Sequence, residues 1–539
     1  MKPLPLLLIL VVAAVILGIV IWGDFGDSQP PPGFGDSDMA SGFVFEDRNG
    51  NGMLDDGEPG VEGVRVSDQR SVTVTDGRGR WVLPGHDEAI YFVVKPRGYR
   101  TALSENNLPL FYYVHKDTDP LPLEGPTVQP TGPLPESIDF PLVRQAEPDR
   151  FEAIFMGDPQ PRNVEEVDFL AHDVLPELVG TAAKFAVVLG DISFDNKETY
   201  LPYNQATGLV GIPFYNVPGN HDANYDGMDP YQHYDSWRTI YGPRYYSFDY
   251  GPVHFIVLAD VIYPEQGSRY IAGLGEQQLG WIEEDLAHVP PETLVVLSMH
   301  IPLTPAEQTP DFGRLYQLLG DRPHTVSFSA HSHTVMQGFI NSEEHGWPGE
   351  EPHHHIVAGA SCGRWWGGDM DETDIPNATG SDGVPNGYFV LTFDGNQYSA
   401  RYKAARRPAD YQMEVQAPSE VARAQVSETP VLVNFFGGNE RAVVEMTMGN
   451  SGKWVPMAFA PQIDPLYARV VERESGQGAS VAYHMWEGRL PTALPIGGHL
   501  IQVRAIDQYG QEFMASRIVR VVEHTPALAA GVDEEGGGH

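Results

Sequence analysis

Five clusters of polar side chains in the middle of this chain each follow an apolar run with the character of a buried strand. Because the carboxyl ends of neighbouring parallel strands meet at one edge of a sheet, five such runs would gather these side chains at one place. The pattern therefore predicts an α/β domain with a polar site at its strand ends. The apolar runs are Ala153–Met156, Phe185–Leu189, Phe214–Val217, Leu294–Met299 and Thr325–Ala330.

Carboxylate, amide and imidazole groups dominate the five clusters. The clusters are Gly157-Asp158-Pro159-Gln160, Gly190-Asp191, Gly219-Asn220-His221-Asp222, His300 and His331-Ser332-His333. Oxygen and imidazole ligands without a thiolate suit zinc, manganese or iron. Two such ions side by side are a common arrangement for hydrolysis. The clusters therefore predict a two-metal hydrolytic site.

The order of these clusters resembles that of the calcineurin-like metallophosphoesterases, in which Asp-x-His, Gly-Asp, Gly-Asn-His-Asp/Glu, His and Gly-His-x-His follow one another. The resemblance runs from about Phe151 to about Lys403, and the tetrapeptide Gly219–Asp222 is its most diagnostic part. It implies an α/β fold, a four-layer αββα domain over residues 150–405. It also implies hydrolysis of phosphate esters by in-line attack of a metal-bridging hydroxide.

Carried over position by position, the resemblance implies two divalent ions of the manganese, zinc or iron type. Seven side chains would be ligands: Asp158, Gln160 and His333 at the first ion, Asp191 between the two, and Asn220, His300 and His331 at the second. His221 would act beside the ions as the catalytic imidazole, and Asp195 would orient it.

Two residues depart from the family pattern. Ala330 replaces the glycine before His331, and Gln160 stands where the family usually has histidine. An amide oxygen is a weaker and harder donor than an imidazole nitrogen. We therefore expect the first ion to be held less firmly than the second.

A different class of function remains open at this stage. A single Gly-Asp or Gly-Asn pair is ordinary turn chemistry, and a degenerate metal site would leave a non-catalytic surface binding protein. The intact Asp191, Asn220 and His221 favour the enzyme. The ligands do not distinguish a monoesterase from a diesterase, because the same core serves both.

The segment after His333 supplies candidates for substrate contact. Its tandem tryptophans amid glycines resemble a segment of a three-domain bacterial subgroup of these phosphoesterases. The candidates are Arg364, Trp365, Trp366, Asn386 and Tyr388, with a plain packing role left open for the aromatic residues. The consecutive residues His353–His355 cannot all face one ion from a strand, so we expect them to cap a strand over Ile356–Ala360.

The catalytic region is predicted to lie between two all-β regions. Residues 41–145 and 411–525 contain short β-runs separated by turns, as in immunoglobulin-like β-sandwich domains. In the first, Asp47–Glu58 has the ligand spacing of an EF-hand calcium loop, although an ordinary acidic turn is the alternative. Its candidate Ca²⁺ ligands are Asp47, Asn49, Asn51, Met53, Asp55 and Glu58.

The N-terminus predicts export. Leu4–Trp22 is an apolar run long enough to cross a bilayer, so residues 1–23 are predicted to be a membrane anchor, with removal as a signal peptide as the alternative. Residues 24–40 are predicted to be a linker, and residues 526–539 a disordered tail. The domains would then lie in the cell envelope, outside the cytoplasm. A net charge of −39 argues against binding nucleic acid.

Overall fold

The computed structural model describes residues 39–229, 232–264, 266–303, 309–449, 451–474 and 478–524. The predicted anchor at residues 1–23 and the predicted tail at residues 526–539 lie outside these ranges, as does nearly all of the predicted linker. Among the helices of the described ranges, none has the length and apolar character needed to cross a membrane.

The N-terminal region consists of nine strands. They are β1 (Met39–Glu46), β2 (Arg65–Ser67), β3 (Val72–Val74), β4 (Arg80–Pro84), β5 (Ile90–Val93), β6 (Tyr99–Leu103), β7 (Pro109–Leu110), β8 (Tyr112–Val114) and β9 (Phe140–Arg144). They form one sheet of order β4-β1-β9-β6-β7 and another of order β3-β2-β5-β8. Val44 and Trp81 from the first sheet and Val66 and Tyr91 from the second are buried in a common core. Each sheet therefore contributes its apolar face to this core.

Within its described residues, the central region contains thirteen strands, from β10 to β22. They are β10 (Arg150–Met156), β11 (Ala186–Val188), β12 (Phe214–Asn216), β13 (Tyr246–Tyr250), β14 (Val253–Val257), β15 (Val261–Ile262), β16 (Ile271–Ala272), β17 (Leu294–Ser298), β18 (Thr325–Ser329), β19 (Val335–Ile340), β20 (His353–Ala358), β21 (Gly387–Asp394) and β22 (Gln397–Ala404). Two sheets dominate, of order β12-β11-β10-β21-β22 and β13-β14-β17-β18-β20-β19. The first three strands of one and β14, β17, β18 and β20 of the other are parallel neighbours. Such strands are buried on both faces, which explains their continuous apolar runs.

Six helices accompany these sheets. They are α1 (Val164–Asp173), α2 (Tyr200–Gly208), α3 (Asp235–Tyr241), α4 (Gly275–Ala287), α5 (Pro310–Leu319) and α6 (Ser342–His345). The side chain of Asn163 caps α1 by accepting a hydrogen bond from the backbone of Glu166. Apolar residues continue at helical spacing as far as Leu178, but α1 ends at Asp173. Pro176 lies in the following 3₁₀ turn and lacks the N–H that a continued α-helix would need.

The loops after β10, β11 and β12 in one sheet, and after β17 and β18 in the other, carry the five polar clusters. All five expected strands are present, so the two sheets present their carboxyl ends to a common region. That region is where the candidate site lies.

The part of the C-terminal region that the structure describes has eleven strands and one α-helix. They are β23 (Met413–Gln416), β24 (Glu420–Ala422), β25 (Pro430–Phe435), β26 (Val443–Met448), β27 (Val455–Pro456), β28 (Ala458–Phe459), β29 (Gln462–Ile463), β30 (Val481–Ala482), β31 (Met485–Arg489), β32 (Gly497–Ile506), β33 (Glu512–Val522) and α7 (Pro465–Glu474). The two main sheets have the orders β23-β25-β31-β28 and β24-β33-β32-β26-β27 and share a buried core. The all-β interpretation of residues 411–525 was wrong about α7, whose apolar residues are spaced for a helix and not for a strand.

Candidate metal centre

Positive φ angles concentrate at the predicted site. Residues other than glycine rarely adopt them, and they cluster where a structure holds side chains in required positions. Six of the nine predicted ligand and catalytic residues have such angles: Asp158 (34°), Gln160 (43°), Asp191 (51°), Asp195 (62°), His331 (65°) and His333 (54°). The strand ends therefore turn sharply, and the side chains are directed into the space between the sheets.

Three candidate ligand atoms lie close to Nε2 of His300, which is itself the fourth. Its Nε2 lies 3.0 Å from Oδ1 of Asn220, 3.1 Å from Nδ1 of His331 and 3.3 Å from Oδ2 of Asp191. Ligands held about 2.0–2.1 Å from one ion are about 3.0–3.4 Å apart from each other. Nδ1 of His300 contacts the carbonyl of Leu189 at 2.8 Å, which leaves Nε2 as the ligand nitrogen. This set fits the predicted second ion.

The first ion's ligands centre on Asp158. Within the described residues, Oδ1 of Asp158 is buried and has no hydrogen-bond partner. Nε2 of His333 lies 4.0 Å from it, while Nδ1 of the same ring contacts the carbonyl of Gly363 at 2.6 Å. A buried carboxylate oxygen without a partner is costly, and a cation would remove that cost. The residues present therefore fit a cation here as well.

Gln160 reaches the same region in a different orientation from the one expected. Its Nε2 donates to Oδ2 of Asp191 at 3.0 Å, and its Oε1 lies 3.9 Å from the sulphur of Cys362. Half a turn about the last side-chain bond exchanges the two ends of the amide. Coordination by its oxygen remains a prediction.

His221 and Asp195 form a pair beside this cluster. Nδ1 of His221 lies 2.7 Å from Oδ1 of Asp195, which also accepts a hydrogen bond from the Tyr225 hydroxyl at 2.6 Å. The His221 ring stacks on Phe194, and its backbone N–H donates to Oδ1 of Asp191 at 2.9 Å. The imidazole is thus fixed next to the carboxylate expected between the two ions, with Nε2 as the nitrogen available for proton transfer.

Two carboxylates that the sequence did not assign hold the loops in place. Asp222 accepts hydrogen bonds from the backbone of Gly219 at 2.8 Å and Ile192 at 3.2 Å. Asp260 accepts from the backbone of His300 at 3.1 Å and Ile301 at 2.9 Å. Asp222 belongs to the diagnostic tetrapeptide, but nothing in the sequence around Asp260 indicates this role.

Burial and neighbouring charges shift the pKa values of the site residues in different directions. Burial lowers the pKa of His331 to about 3 and that of His333 to about 4, so both rings are neutral at pH 7. Burial raises the pKa of Asp158. Burial opposes the charge on His300 and on His221 too, but the adjacent Asp191 raises the pKa of His300 to about 10, and Asp195 raises that of His221.

The five substrate candidates divide into two groups. Trp365 is 38% exposed and its ring centroid lies 5.0 Å from that of His333, while Arg364 is half-buried and donates to the carbonyl of Gly478 at 3.2 Å. Trp366, Asn386 and Tyr388 are buried instead. Asn386 donates to Asp173, and the Tyr388 hydroxyl donates to Glu177. The packing role left open for the aromatic residues fits Trp366 and Tyr388.

The three consecutive histidines do not cap a strand; they begin β20. His353 and His355 bond to hydroxyls of β18, including Ser327 Oγ at 2.7 Å from each ring. His354, on the opposite face, contacts the Tyr398 hydroxyl at 2.7 Å. The period-two alternation of a strand separates them, so they serve the sheet.

The predicted calcium loop is a compact turn. Asp47 accepts hydrogen bonds from the backbone of Gly50 at 2.6 Å and Gly52 at 2.9 Å. Asn49 and Asn51 both donate to Oδ2 of Asp55 at 2.8 Å. These side chains thus bond to one another and to the backbone of the loop, and calcium binding remains a prediction.

Comparisons with known proteins identify the family to which the sequence is similar. The model of the calcineurin-like phosphoesterase family matches residues 153–335. Models for the N-terminal and C-terminal parts of calcineurin-like phosphoesterases match residues 48–121 and 355–513. The last match begins inside β20, so the strands that complete the central sheets fall within it.

One curated relative is a probable glycerophosphodiester phosphodiesterase, GpdQ, of Arcobacter nitrofigilis. It is 29% identical over 119 residues, which is 22% of this chain and only 41% of that protein. Among solved structures, a purple acid phosphatase from yellow lupin (Lupinus luteus) is 12% identical over 63% of this chain and 66% of its own, with a TM-score of 0.35. The structure of PhoD is 11% identical over 74% of this chain and 90% of its own, with a TM-score of 0.34.

Models for the N-terminal, catalytic and C-terminal parts of one family thus match in order along the sequence. The catalytic match spans the loops after β10, β11, β12, β17 and β18, which carry the ligand cluster. The chain belongs to the calcineurin-like phosphoesterases.

Proposed function

We propose that this protein is a dinuclear metal-dependent phosphoesterase that acts outside the cytoplasm on small phosphate esters. The observation that carries the proposal is the convergence of Asp191, Asn220 and His331 within 3.0–3.3 Å of Nε2 of His300, next to the buried, unpaired oxygen of Asp158. Membership of the calcineurin-like phosphoesterases supports the reaction class.

Divalent ions at these positions would supply a nucleophile at neutral pH and stabilise charge on the phosphate. The chain's own residues do the rest. Asp191 is held by the His221 backbone and by Gln160, so its two oxygens face different groups. His221, oriented by Asp195, holds a proton beside the centre and either donates it to the leaving oxygen or stabilises the charge that develops there.

Export and membrane attachment belong to the same proposal. They rest on the apolar run Leu4–Trp22 and the acidic residues that follow it. Fractionation of cells that express the full chain would place the protein with the membrane and expose its domains to external protease. Recovery in the cytoplasmic fraction would contradict the proposal.

The direct test of activity is hydrolysis of p-nitrophenyl phosphate and of its bis-ester after loading with manganese, zinc or iron. The diester is included because the Arcobacter relative is named as a probable phosphodiesterase. We expect hydrolysis that a chelator removes and that added metal restores. Firm binding of the ions with no hydrolysis of either ester would favour a non-catalytic surface binding protein.

A further inference from the structure

A cavity of about 260 Å³ lies between the central region and α7 of the C-terminal region. Its volume is close to the lower limit of the pockets that bind small molecules. It is lined by Arg162, Arg364, Trp365, Gly367, Gly368, Asn377, Thr379, Tyr467, Val470 and Val471. The first seven residues belong to loops of the central region, and the last three lie on α7, so the cavity exists only because the two regions meet.

The cavity adjoins the candidate metal centre through Trp365. One side of this residue faces His333, with ring centroids 5.0 Å apart, and the residue also lines the cavity. Trp365 has a φ of 89°, which is unusual for so bulky a residue, whereas the adjacent Trp366 is buried. The backbone is therefore held in a costly conformation that keeps the first indole at the boundary between the metal centre and the cavity.

The side chains that line the cavity favour binding of a flat, apolar group. Val470 and Val471 supply an aliphatic wall, and Tyr467 is fixed there by a contact from its hydroxyl to the carbonyl of Thr379 at 3.4 Å. Trp365 offers an aromatic face to a ring, in the stacked or edge-on geometry that aromatic pairs prefer.

The walls of the cavity carry positive groups in a protein whose net charge is −39. Arg364 lines it directly. Arg162 does too, although its Nε donates to Glu166 at 2.7 Å, which balances part of its charge. An anionic ester approaching an acidic protein would thus meet guanidinium groups at this position.

We propose that this cavity binds a flat ring in the organic part of the phosphate ester, and that the C-terminal region determines specificity by supplying Val470, Val471 and Tyr467. The inference rests on the proposed phosphoesterase activity for its kinetic consequence, but the binding itself does not depend on turnover.

The test uses the variant Val470→Trp, whose larger side chain on α7 would fill the cavity. Calorimetry would measure binding of phenylphosphonate and methylphosphonate to the manganese-loaded full chain. Kinetics would compare bis(p-nitrophenyl) phosphate with methyl p-nitrophenyl phosphate, which release the same phenolate. We expect the parent to prefer the aryl compound by about tenfold, the value of burying part of a ring. Val470→Trp should abolish most of that preference, mainly through KM.

Val443→Trp is the matched control, because Val443 is 53% exposed on β26 of the same region. It should keep the parent's preference. Trp365→Leu removes the indole on which the ring of the ligand would stack. Because Trp365 is exposed, this variant should fold even if Val470→Trp does not, and it should lower the preference for the aryl compound.

The possible outcomes distinguish the assignment of the cavity from the proposed phosphoesterase activity. A preference that survives both Val470→Trp and Trp365→Leu, or a parent that binds neither phosphonate, overturns the cavity assignment. A parent that shows the binding preference yet hydrolyses no ester with any metal overturns the proposed function and leaves the cavity as a binding site.

Discussion

At the scale of single residues, His221 is the side chain whose contacts most directly suggest a chemical step. Asp195 at 2.7 Å fixes its ring, and Phe194 stacks on it. His221→Ala should lower kcat by about two to four decades, the usual contribution of a positioned acid, and should leave metal content unchanged. Elemental analysis and steady-state kinetics would measure the two effects.

The dependence on leaving group distinguishes the two roles open to His221. If it donates a proton, esters with very good leaving groups should lose less activity in His221→Ala. Equal losses for all leaving groups would indicate charge stabilisation. Loss of bound metal in this variant would contradict its placement beside the ions.

Gln160 is the residue whose role is least like that of its family counterpart. We expect the first ion to be exchangeable, because an amide oxygen is a weaker ligand than imidazole. Gln160→His should tighten the first site and reduce the need for added metal, whereas Gln160→Ala should empty it. Competition with a graded chelator would measure both affinities. If Gln160→Ala holds two ions as firmly as the parent, the residue is not a ligand and its bond to Asp191 is its role.

The proximity of the predicted ligand residues could be expected from the sequence, because each follows a strand and strand ends meet. The residues that hold them could not. Asp260 and Tyr225 act by hydrogen bonds to groups far away in the chain, Asp260 to His300 and Tyr225 to Asp195. Only the three-dimensional arrangement brings those partners together, and the orientation of the Gln160 amide depends on Asp191 in the same way.

At the scale of elements, the loop Asp47–Glu58 is predicted to bind Ca²⁺ and to stabilise the N-terminal strands. Asp47→Ala and Glu58→Ala remove one oxygen ligand at each end of the loop. We expect each to abolish the gain in melting temperature that calcium gives the parent, with turnover unchanged. A parent whose melting temperature is the same with calcium and with chelator would refute the site.

A buried group of charges joins the N-terminal region to the central region. Arg65 on β2 pairs with Asp285 on α4 at 2.8 Å and with Asp249 on β13 at 2.9 Å. His254 lies between the two carboxylates, 2.7 Å from Asp249 and 3.0 Å from Asp285. Removing one partner of a buried pair costs about 3 kcal/mol or more. Arg65→Met should lower the free energy of unfolding by that amount at pH 7.

The pH dependence of this loss follows from Asp285. Burial opposes its charge, but His254 and Arg65 lower its pKa to about 2, below the ordinary value of about 3.9. The pairing therefore stabilises the parent above about pH 4 and is lost as the pH falls towards 2. The difference in stability between parent and Arg65→Met should shrink over that range, as measured by urea unfolding.

The control for Arg65→Met is Arg97→Met, because Arg97 pairs with Asp149 on the surface. Exposed pairs contribute at most about 1 kcal/mol. A loss from Arg65→Met no larger than that of the control, or a difference that grows in acid, would contradict the account of the buried pair.

Strand positions were predictable because β10, β11 and β17 contain short apolar runs, and the apolar residues of α4 recur at helical spacing. The end of α1 could not be predicted in the same way, because apolar residues continue at helical spacing on both sides of Pro176. For α7, the helical spacing of Tyr467, Val470 and Val471 is present in the sequence, but it spans only ten residues within a region of strands.

At the scale of the whole molecule, the flanking regions contact the loops of the centre. A buried contact of 3.0 Å joins His484 of the C-terminal region to Asp382, whose Oδ2 also accepts the backbone N–H of Val335 shortly after His333. The sequence predicted three parts in the right order and gave no role to the third. The contact between α7 and the 364–379 loop explains why no role could be assigned to the C-terminal region. The two segments are far apart in the sequence, and neither contains a pattern that indicates contact with the other.

The central claim is a centre of two ions that share Asp191. The most direct test is the number of manganese ions bound at equilibrium, measured by dialysis at a free Mn²⁺ concentration that saturates the parent and compared between the parent, Asp191→Asn and Asp195→Asn. The last variant makes the same chemical change on a carboxylate that contacts His221 and is not a predicted ligand. We predict two ions per chain in the parent and in Asp195→Asn, and fewer than one in Asp191→Asn. A parent that holds a single ion, or an Asp191→Asn variant that retains two, would contradict the account.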